Sequence, residues 1–311
     1  KFRYFTTKNK GLRVLSFAFL FDFDRFNNGT LVIPLKVALK QAWFKKAISE
    51  HPESDVDVLV VFGHIPVARS WEELQHLHRV LRKHYPNTKI QYFGGHSHIR
   101  DYTVFDANAT GLQSGRFCET VGWASLSLSK TVDNTNGDIF EQAKETFHRS
   151  YIDFNLDSFY HHSKAQNPQD FETTLGLNVT RDIFHLRKKL GLQKTLGNVS
   201  RLNYYVSYVP VDHELSIFHF LTHEVLFSLR PAKKEYNENK IVIINTGSIR
   251  YDLYKGPYTI DSQYIVSPFE NDWVKISVPK RVATKIAATL NEAAYIMNGE
   301  SENLKPPHLW N

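Results

Sequence analysis

The feature that most constrains this chain is the segment Phe93-Gly94-Gly95-His96-Ser97-His98. It closes an apolar run, 89–93, that has the composition of a short buried strand. Neutral imidazole is a common ligand of transition metals, and glycine lets the backbone turn sharply. Two histidines separated by one residue, directly after a glycine pair, therefore predict a metal site at the end of a strand.

A second unit of the same design lies upstream, where the apolar run 57–62 leads into a glycine and His64. Between the two runs, residues 70–85 carry leucines and aromatics at helical spacing, and Ser70 and Glu73 have the spacing of a capping box. Strand, helix and strand form a right-handed βαβ unit. Such a unit places all three histidines at the carboxyl ends of parallel strands, where open α/β sheets bind ligands. Three imidazoles alone could hold one zinc ion with an open position.

Composition bounds the class of protein. A chain of 311 residues with 42% hydrophobic residues can build about two cores. The net charge of +6 is mild, and no block of lysines and arginines predicts nucleic-acid binding. No apolar run reaches the length of a membrane span. The single cysteine, Cys118, excludes an intrachain disulfide framework.

The sequence contains several N-glycosylation sequons, which together favour a secretory route with an extracellular, vacuolar or lysosomal destination. The acceptor residues are Asn28, Asn108, Asn178 and Asn198.

Further elements follow from periodicity and turn residues. We expect a strand over 11–20 and a helix that Pro34 opens and that runs to about residue 50. Short strands over 101–130 would complete a second sheet packed on the first, and strand character returns over 147–160. Asp22 and Asp24, just after the first of these strands, are either metal ligands or part of a solvated loop.

Three segments divide the chain. We predict a first domain over 1–165, a linker helix over 166–195 and a second domain over 196–311. In the second domain we expect a helix over 212–229, a strand over 240–244 and a last helix that starts at Pro279.

The two glycine–histidine units, each after a buried strand, resemble the last two motifs of the calcineurin-like metallophosphoesterases. This resemblance implies the later half of a two-sheet αββα metallophosphoesterase domain, followed by an α+β C-terminal domain of the 5′-nucleotidase type, an α/β fold overall. It assigns His64 and His96 to one divalent metal ion and His98 to a second, the ions being Zn, Mn or Fe.

The second half of the chain indicates the 5′-nucleotidase branch. Residues 245–250, with the sequence Asn-Thr-Gly-Ser-Ile-Arg, precede a Gly-Pro-Tyr turn and a Pro-Phe pair that ends at Phe269. This order is similar to the substrate-binding domain of 5′-nucleotidases. The resemblance implies that Asn245 and Arg250 contact the substrate and that Phe269 stacks on its base. For Phe269 alone, a core position is the alternative.

The resemblance implies hydrolysis of phosphate monoesters, most readily nucleotides, by a water that two metal ions activate. Sugar nucleotides and cyclic nucleotides are further substrates that these residues would accept. The alternative is a non-catalytic binder of nucleotides or phosphate esters, or a degenerate phosphatase that keeps Arg250 and Phe269 without a metal pair.

The earlier motifs of the superfamily, Asp-x-His, Gly-Asp and Gly-Asn-His-Asp/Glu, have no match in this chain. The catalytic histidine is therefore expected outside it, and no catalytic residue is assigned within it. We expect an N-terminal segment of the same precursor to associate non-covalently with this chain. If it does not, Asp22, Asp24 and Asp101 are the carboxylates to test.

Overall fold

The computed structural model describes residues 1–23, 29–128, 138–199, 201–226, 240–270 and 272–291. The chain divides into two compact units, residues 1–171 and 172–311. Both units mix helices with strands, so the predicted α/β class and two-domain description fit the structure.

Parallel strands form the centre of the main sheet in the first unit. Its main sheet contains β1 Phe2–Thr6, β2 Arg13–Leu20, β3 Val58–His64, β4 Lys89–Phe93, β5 Arg100–Asp106 and β6 Ala109–Ser114. The spatial order is β1-β2-β3-β4-β6-β5. Strands β2, β3, β4 and β6 run parallel, whereas β1 and β5 are antiparallel at the two edges. The carboxyl ends of four strands consequently meet at one edge of the sheet.

The predicted βαβ unit is confirmed. Helix α3, Glu72–His84, connects β3 to the parallel strand β4. Leu74, Leu77 and Leu81 on this helix are fully buried in the same cluster as Leu59 of β3 and Ile90 of β4. Leucine at positions i, i+3 and i+7 thus forms the apolar stripe that attaches the helix to the sheet.

Two predictions about helices in this unit are wrong. The predicted capping box does not form, because α3 begins after Trp71 without a side-chain cap, and Glu73 instead accepts a hydrogen bond from the backbone of Asp22. The single helix expected after Pro34 is two helices, α1 Leu35–Ala38 and α2 Ala42–Glu50, because Gln41 adopts an extended backbone conformation.

The second sheet of the first unit is smaller than predicted. It consists of β7 Thr120–Leu126 and β8 Phe147–Asp153, which pair antiparallel. The strands at 100–106 and 109–114 do not belong to it, because they extend the main sheet. Three further helices complete the unit: α4 Ile139–Thr146, α5 Leu156–Ser163 and α6 Pro168–Phe171.

The second unit begins with helix α7, Thr174–Lys189, and its described residues form a two-stranded antiparallel sheet, β9 Thr195–Val199 with β10 Gly256–Thr259. Helices α8 Ile217–Phe220, α9 Ile260–Val266 and α10 Lys280–Asn291 follow in chain order. Its core is small and contains Ile217, Phe218, Leu253 and Val266.

Two expectations for the second unit are corrected. The helix predicted from residue 212 starts only at Ile217, and a π-helical turn, Leu221–Val225, replaces its continuation. The apolar run 241–244 forms no strand in the described part of the chain, and Ile241 is 51% exposed. No helix among the described residues is long and apolar enough to cross a membrane.

Candidate metal and substrate sites

His64 and His96 lie together at the carboxyl edge of the main sheet, as the βαβ reading predicts. His64 is the last residue of β3, and His96 follows β4 by three residues. His64 Nε2 is 3.2 Å from His96 Nδ1, and the two rings meet edge to face with centroids 5.0 Å apart. His64 is exposed, whereas His96 is only 6% exposed.

This geometry suits two ligands of one ion. Two imidazole nitrogens on a tetrahedral metal, each about 2.0–2.1 Å from it, lie roughly 3.3–3.4 Å apart. Within the described residues, however, no group of three or more His, Cys, Asp or Glu side chains is arranged to hold a metal. His98 therefore does not complete a three-ligand set with the other two histidines. The pair fits part of a metal site, and a complete site needs further ligands.

Aromatic rings surround His96 on two sides. Phe21 stacks on its imidazole with centroids 4.0 Å apart, and Trp71 approaches edge-on at 5.9 Å. Neither residue was identified from the sequence. Phe21 follows β2, the parallel neighbour of β3, so its position at the same edge was the available signal.

A pair of carboxylates lies close to these rings. Asp22 follows Phe21 directly, and its Oδ1 accepts a hydrogen bond of 2.5 Å from the backbone N–H of Leu35. Glu73 Oε1 accepts one of 3.3 Å from the N–H of Asp22. Burial raises the pKa of Glu73 above its ordinary value, although the hydrogen bond from Asp22 opposes that shift. Both carboxylates line a solvent-open cavity of about 740 Å³ together with Trp71, Lys36 and Arg79.

Asp101, another carboxylate named from the sequence, belongs to no group of three or more potential metal ligands among the described residues. Asp101 lies on β5, and its Oδ1 accepts a hydrogen bond of 2.8 Å from the N–H of Tyr102. Burial raises its pKa. Asp24 lies outside the described residues.

The predicted substrate residues all lie in the second unit, and two of them, Arg250 and Phe269, lie close together. Asn245 caps a 3₁₀ turn, Thr246–Ser248, because its side chain accepts a hydrogen bond of 2.8 Å from the N–H of Gly247. The guanidinium carbon of Arg250 lies 5.7 Å from the ring centroid of Phe269. That ring is 50% exposed. A core position for Phe269 is therefore excluded, and the pair presents a cation and an aromatic face to solvent.

The four sequons differ in their surroundings. Asn178 on α7 and Asn198 on β9 are exposed. Asn108 is only 2% exposed, and its Oδ1 accepts a hydrogen bond from Nζ of the buried Lys89. Asn28 lies outside the described residues.

Known proteins resemble this chain over nearly its full length. A family model described as the C-terminal domain of NAD nucleotidase matches residues 203–310. The crystal structure of a 5′-nucleotidase from Candida albicans matches with a TM-score of 0.84 and 50% sequence identity, over 99% of this chain and 53% of that chain. The chain is therefore similar to a 5′-nucleotidase over almost all of its residues, and its second half resembles a nucleotidase C-terminal domain. The predicted resemblance to the C-terminal portion of 5′-nucleotidases is thereby confirmed.

Other relatives of this 5′-nucleotidase-like chain are fungal. An uncharacterized protein of Saccharomyces cerevisiae is 42% identical over 95% of this chain and 49% of its own length. A protein named "Secreted protein" from Arthroderma benhamiae is 34% identical over 99% of this chain and 50% of its own length. The chain thus spans about half the length of the relatives that it matches.

Proposed function

We propose that the protein hydrolyses phosphate monoesters, with nucleotides as the favoured substrates, at a centre that two divalent metal ions complete. The observation that carries the proposal is the convergence of His64 and His96 within 3.2 Å at the carboxyl edge of a parallel sheet, in a chain related to the 5′-nucleotidases.

The residues would divide the work as follows. His64 and His96 would hold one ion and His98 the other, and the ions would supply an activated water and positive charge for the phosphoryl oxygens. The rings of Phe21 and Trp71 fix His96 in its orientation.

The second unit would bind the rest of the substrate. The planar guanidinium of Arg250 can donate two hydrogen bonds to an anionic or carbonyl oxygen. The exposed ring of Phe269 offers an aromatic face for a base. Asn245 already uses its side-chain oxygen as a cap, so only its amide N–H groups are available as donors to a ligand.

His98→Ala tests the metal assignment in the complete protein. We expect one of two metal equivalents and nearly all phosphoesterase activity to be lost, because His98 is the ligand assigned to the second ion. Metal analysis and turnover of a nucleotide monophosphate give the result. His84→Ala, an exposed histidine at the end of α3, is the control. Two bound ions and unchanged turnover in the His98 variant would contradict the assignment.

Arg250→Ala and Phe269→Ala test the substrate assignment. Both should raise KM for nucleotides by roughly tenfold or more while leaving hydrolysis of a small ester such as nitrophenyl phosphate nearly unchanged, since uniform binding contacts act on KM. Tyr264→Ala removes another exposed aromatic of the same unit and serves as the control. If the ratio of nucleotide hydrolysis to small-ester hydrolysis stays at the parental value in both variants, the assignment is wrong.

A non-catalytic nucleotide binder is the second candidate. It is favoured by the lack of a three-ligand group among the residues that the structure describes. Metal analysis separates the two functions, because about two equivalents support the enzyme and none supports the binder.

A further inference from the structure

The loop that carries His96 and His98 has an unusual backbone. His96 has φ 77° and His98 has φ 62°. Both residues carry a Cβ atom and lie in the left-handed backbone region, which residues other than glycine rarely adopt. Such conformations persist where the surrounding structure fixes them, and they concentrate at functional sites. The question is therefore which contacts hold this loop.

Three backbone hydrogen bonds fix the entry to the loop. The N–H of Gly94 donates to Leu112 O of β6 at 3.0 Å, and the N–H of Gly95 donates to Ile65 O at 3.0 Å. The N–H of Ser97 closes a tight turn onto Gly95 O, also at 3.0 Å. These bonds lie before His98, and two residues after it the chain enters β5, whose Arg100 pairs with Ser114 of β6.

One side chain spans the part of the loop that contains His98. Gln113, on β6, donates from Nε2 to the backbone oxygen of Ile99 at 2.8 Å and also to Ser97 Oγ. Ser97 and Ile99 are the two neighbours of His98 in the chain. A single amide group thus holds both sides of this histidine.

The position of Gln113 makes this contact a built feature rather than a surface coincidence. The residue is 1% exposed, and its Oε1 is buried without a hydrogen-bond partner among the described atoms. Leaving a buried acceptor unpaired costs free energy. The amide cannot be reversed to relieve it, because Oε1 would then face the carbonyl oxygen of Ile99, which only accepts hydrogen bonds.

We propose that Gln113 is the positioning residue for His98: it holds the left-handed loop in the conformation that presents this imidazole to a metal ion. The inference rests on the proposed function, in which His98 is a metal ligand. Residues that orient metal ligands from the second layer typically change metal affinity by about 10–100-fold when they are replaced.

Gln91 provides a matched control. It is a second buried glutamine, 3% exposed, on the neighbouring strand β4. Its Nε2 donates to the backbone oxygen of Tyr92 at 2.9 Å, and its Oε1 accepts a hydrogen bond of 2.9 Å from Thr110 Oγ1; neither partner lies in the histidine loop. Gln113→Leu and Gln91→Leu therefore remove the same group from the same sheet.

The experiment titrates the complete protein with Zn²⁺ alone and measures amide hydrogen exchange over residues 96–99 in the metal-free form. Gln113→Leu should weaken Zn²⁺ binding about 10–100-fold and accelerate exchange in the loop. Gln91→Leu should leave Zn²⁺ affinity and loop exchange unchanged, even if it lowers the melting temperature as much as Gln113→Leu does. Ser97→Ala removes one of the two acceptors and should give a smaller loss in the same direction.

Parental affinity in Gln113→Leu, or an equal loss in Gln91→Leu, would overturn the proposal. If Gln113→Leu does not fold, Ser97→Ala decides, and parental affinity in that variant counts against the role of Gln113. Should the parent protein bind no Zn²⁺, the proposed function fails. Hydrogen exchange then tests the loop-holding role by itself, and unchanged exchange in Gln113→Leu would overturn that as well.

Discussion

Asp106 shows at the scale of one residue how the first unit stabilises a buried charge. Its Oδ2 lies 3.1 Å from His78 Nε2 and 2.8 Å from Arg82 Nε, and His78 Nδ1 lies 2.9 Å from the hydroxyl of Tyr92. Burial alone would raise the pKa of Asp106. The hydrogen bond from His78 and the charge of Arg82 outweigh that effect and lower it.

Asp106→Asn should therefore destabilise the protein by roughly 2–4 kcal/mol at neutral pH, because the largely buried side chain of Arg82, 17% exposed, loses its carboxylate. Urea unfolding measures the change. The lowered pKa means that the stabilisation is present above the ordinary carboxyl pKa of about 3.9 and is lost as pH falls through the lower folded value. Asp153→Asn breaks an exposed ion pair with Arg100 and should cost about 1 kcal/mol or less. Equal costs for both variants would contradict this explanation.

The pKa of Glu73 shifts in the opposite direction from that of Asp106. Burial raises its pKa, so the folded state favours the protonated form, and stability falls as pH rises from the unfolded pKa through the folded one. Glu73→Gln should raise the melting temperature by a few degrees near neutral pH and change it little below about pH 4. The hydrogen bond from Asp22 survives, since a glutamine oxygen also accepts. Glu72→Gln, at the exposed neighbouring position, is the control. A melting temperature that rises equally at both pH values would rule out this account.

At the scale of single elements, local patterns predicted α3, β3 and β4 because each carries its own periodicity. The pattern of leucines on α3 matches the stripe that is buried. The capping box failed because the side chain of Glu73 bonds to Asp22, a residue 51 positions away that local sequence does not reveal.

Strand pairing was less predictable. Short strands were predicted over 101–130 for a second sheet, but the strands at 100–106 and 109–114 extend the main sheet, because β6 pairs with the distant β4. The run Ile241 to Ile244 has strand composition without strand structure, since β propensity needs a partner to become a strand. The roles of Phe21, Trp71 and Gln113 were not predicted either, because their contacts with the histidine loop are all non-local.

The glycine pair before His96 tests how closely the elements fit. A Cβ on Gly94 would lie 2.4 Å from Ile65 O and 2.5 Å from Val67 Cγ1, whereas a Cβ on Gly95 would meet nothing nearer than His64 Nδ1 at 3.7 Å. Gly94→Ala should destabilise the protein by about 1–3 kcal/mol through overpacking, and Gly95→Ala should cost less than about 0.5 kcal/mol. Thermal unfolding of the two variants gives the comparison. A larger loss of stability in Gly95→Ala than in Gly94→Ala would contradict the packing described for this glycine pair.

At the scale of the whole molecule, the secretory route inferred from four sequons becomes testable because their burial differs. We propose that the protein enters the secretory pathway and carries glycans at Asn178 and Asn198, whose side chains are exposed. A glycan needs an acceptor side chain that can point to solvent.

Asn108 should stay unmodified in the folded, secreted protein. Its side chain is 2% exposed and accepts a hydrogen bond from the buried Lys89, so a glycan attached during synthesis would have to displace that lysine and open the end of β4. Molecules modified there would fail to fold and would be retained. Expression through a yeast secretory pathway, enzymatic deglycosylation in heavy-oxygen water and peptide mapping locate the occupied sites. Asn178→Gln and Asn198→Gln should each remove one glycan from the secreted protein, while Asn108→Gln should remove none. A glycan at Asn108 in folded protein would show that this turn opens, and the lack of any glycan would remove the evidence for the secretory route.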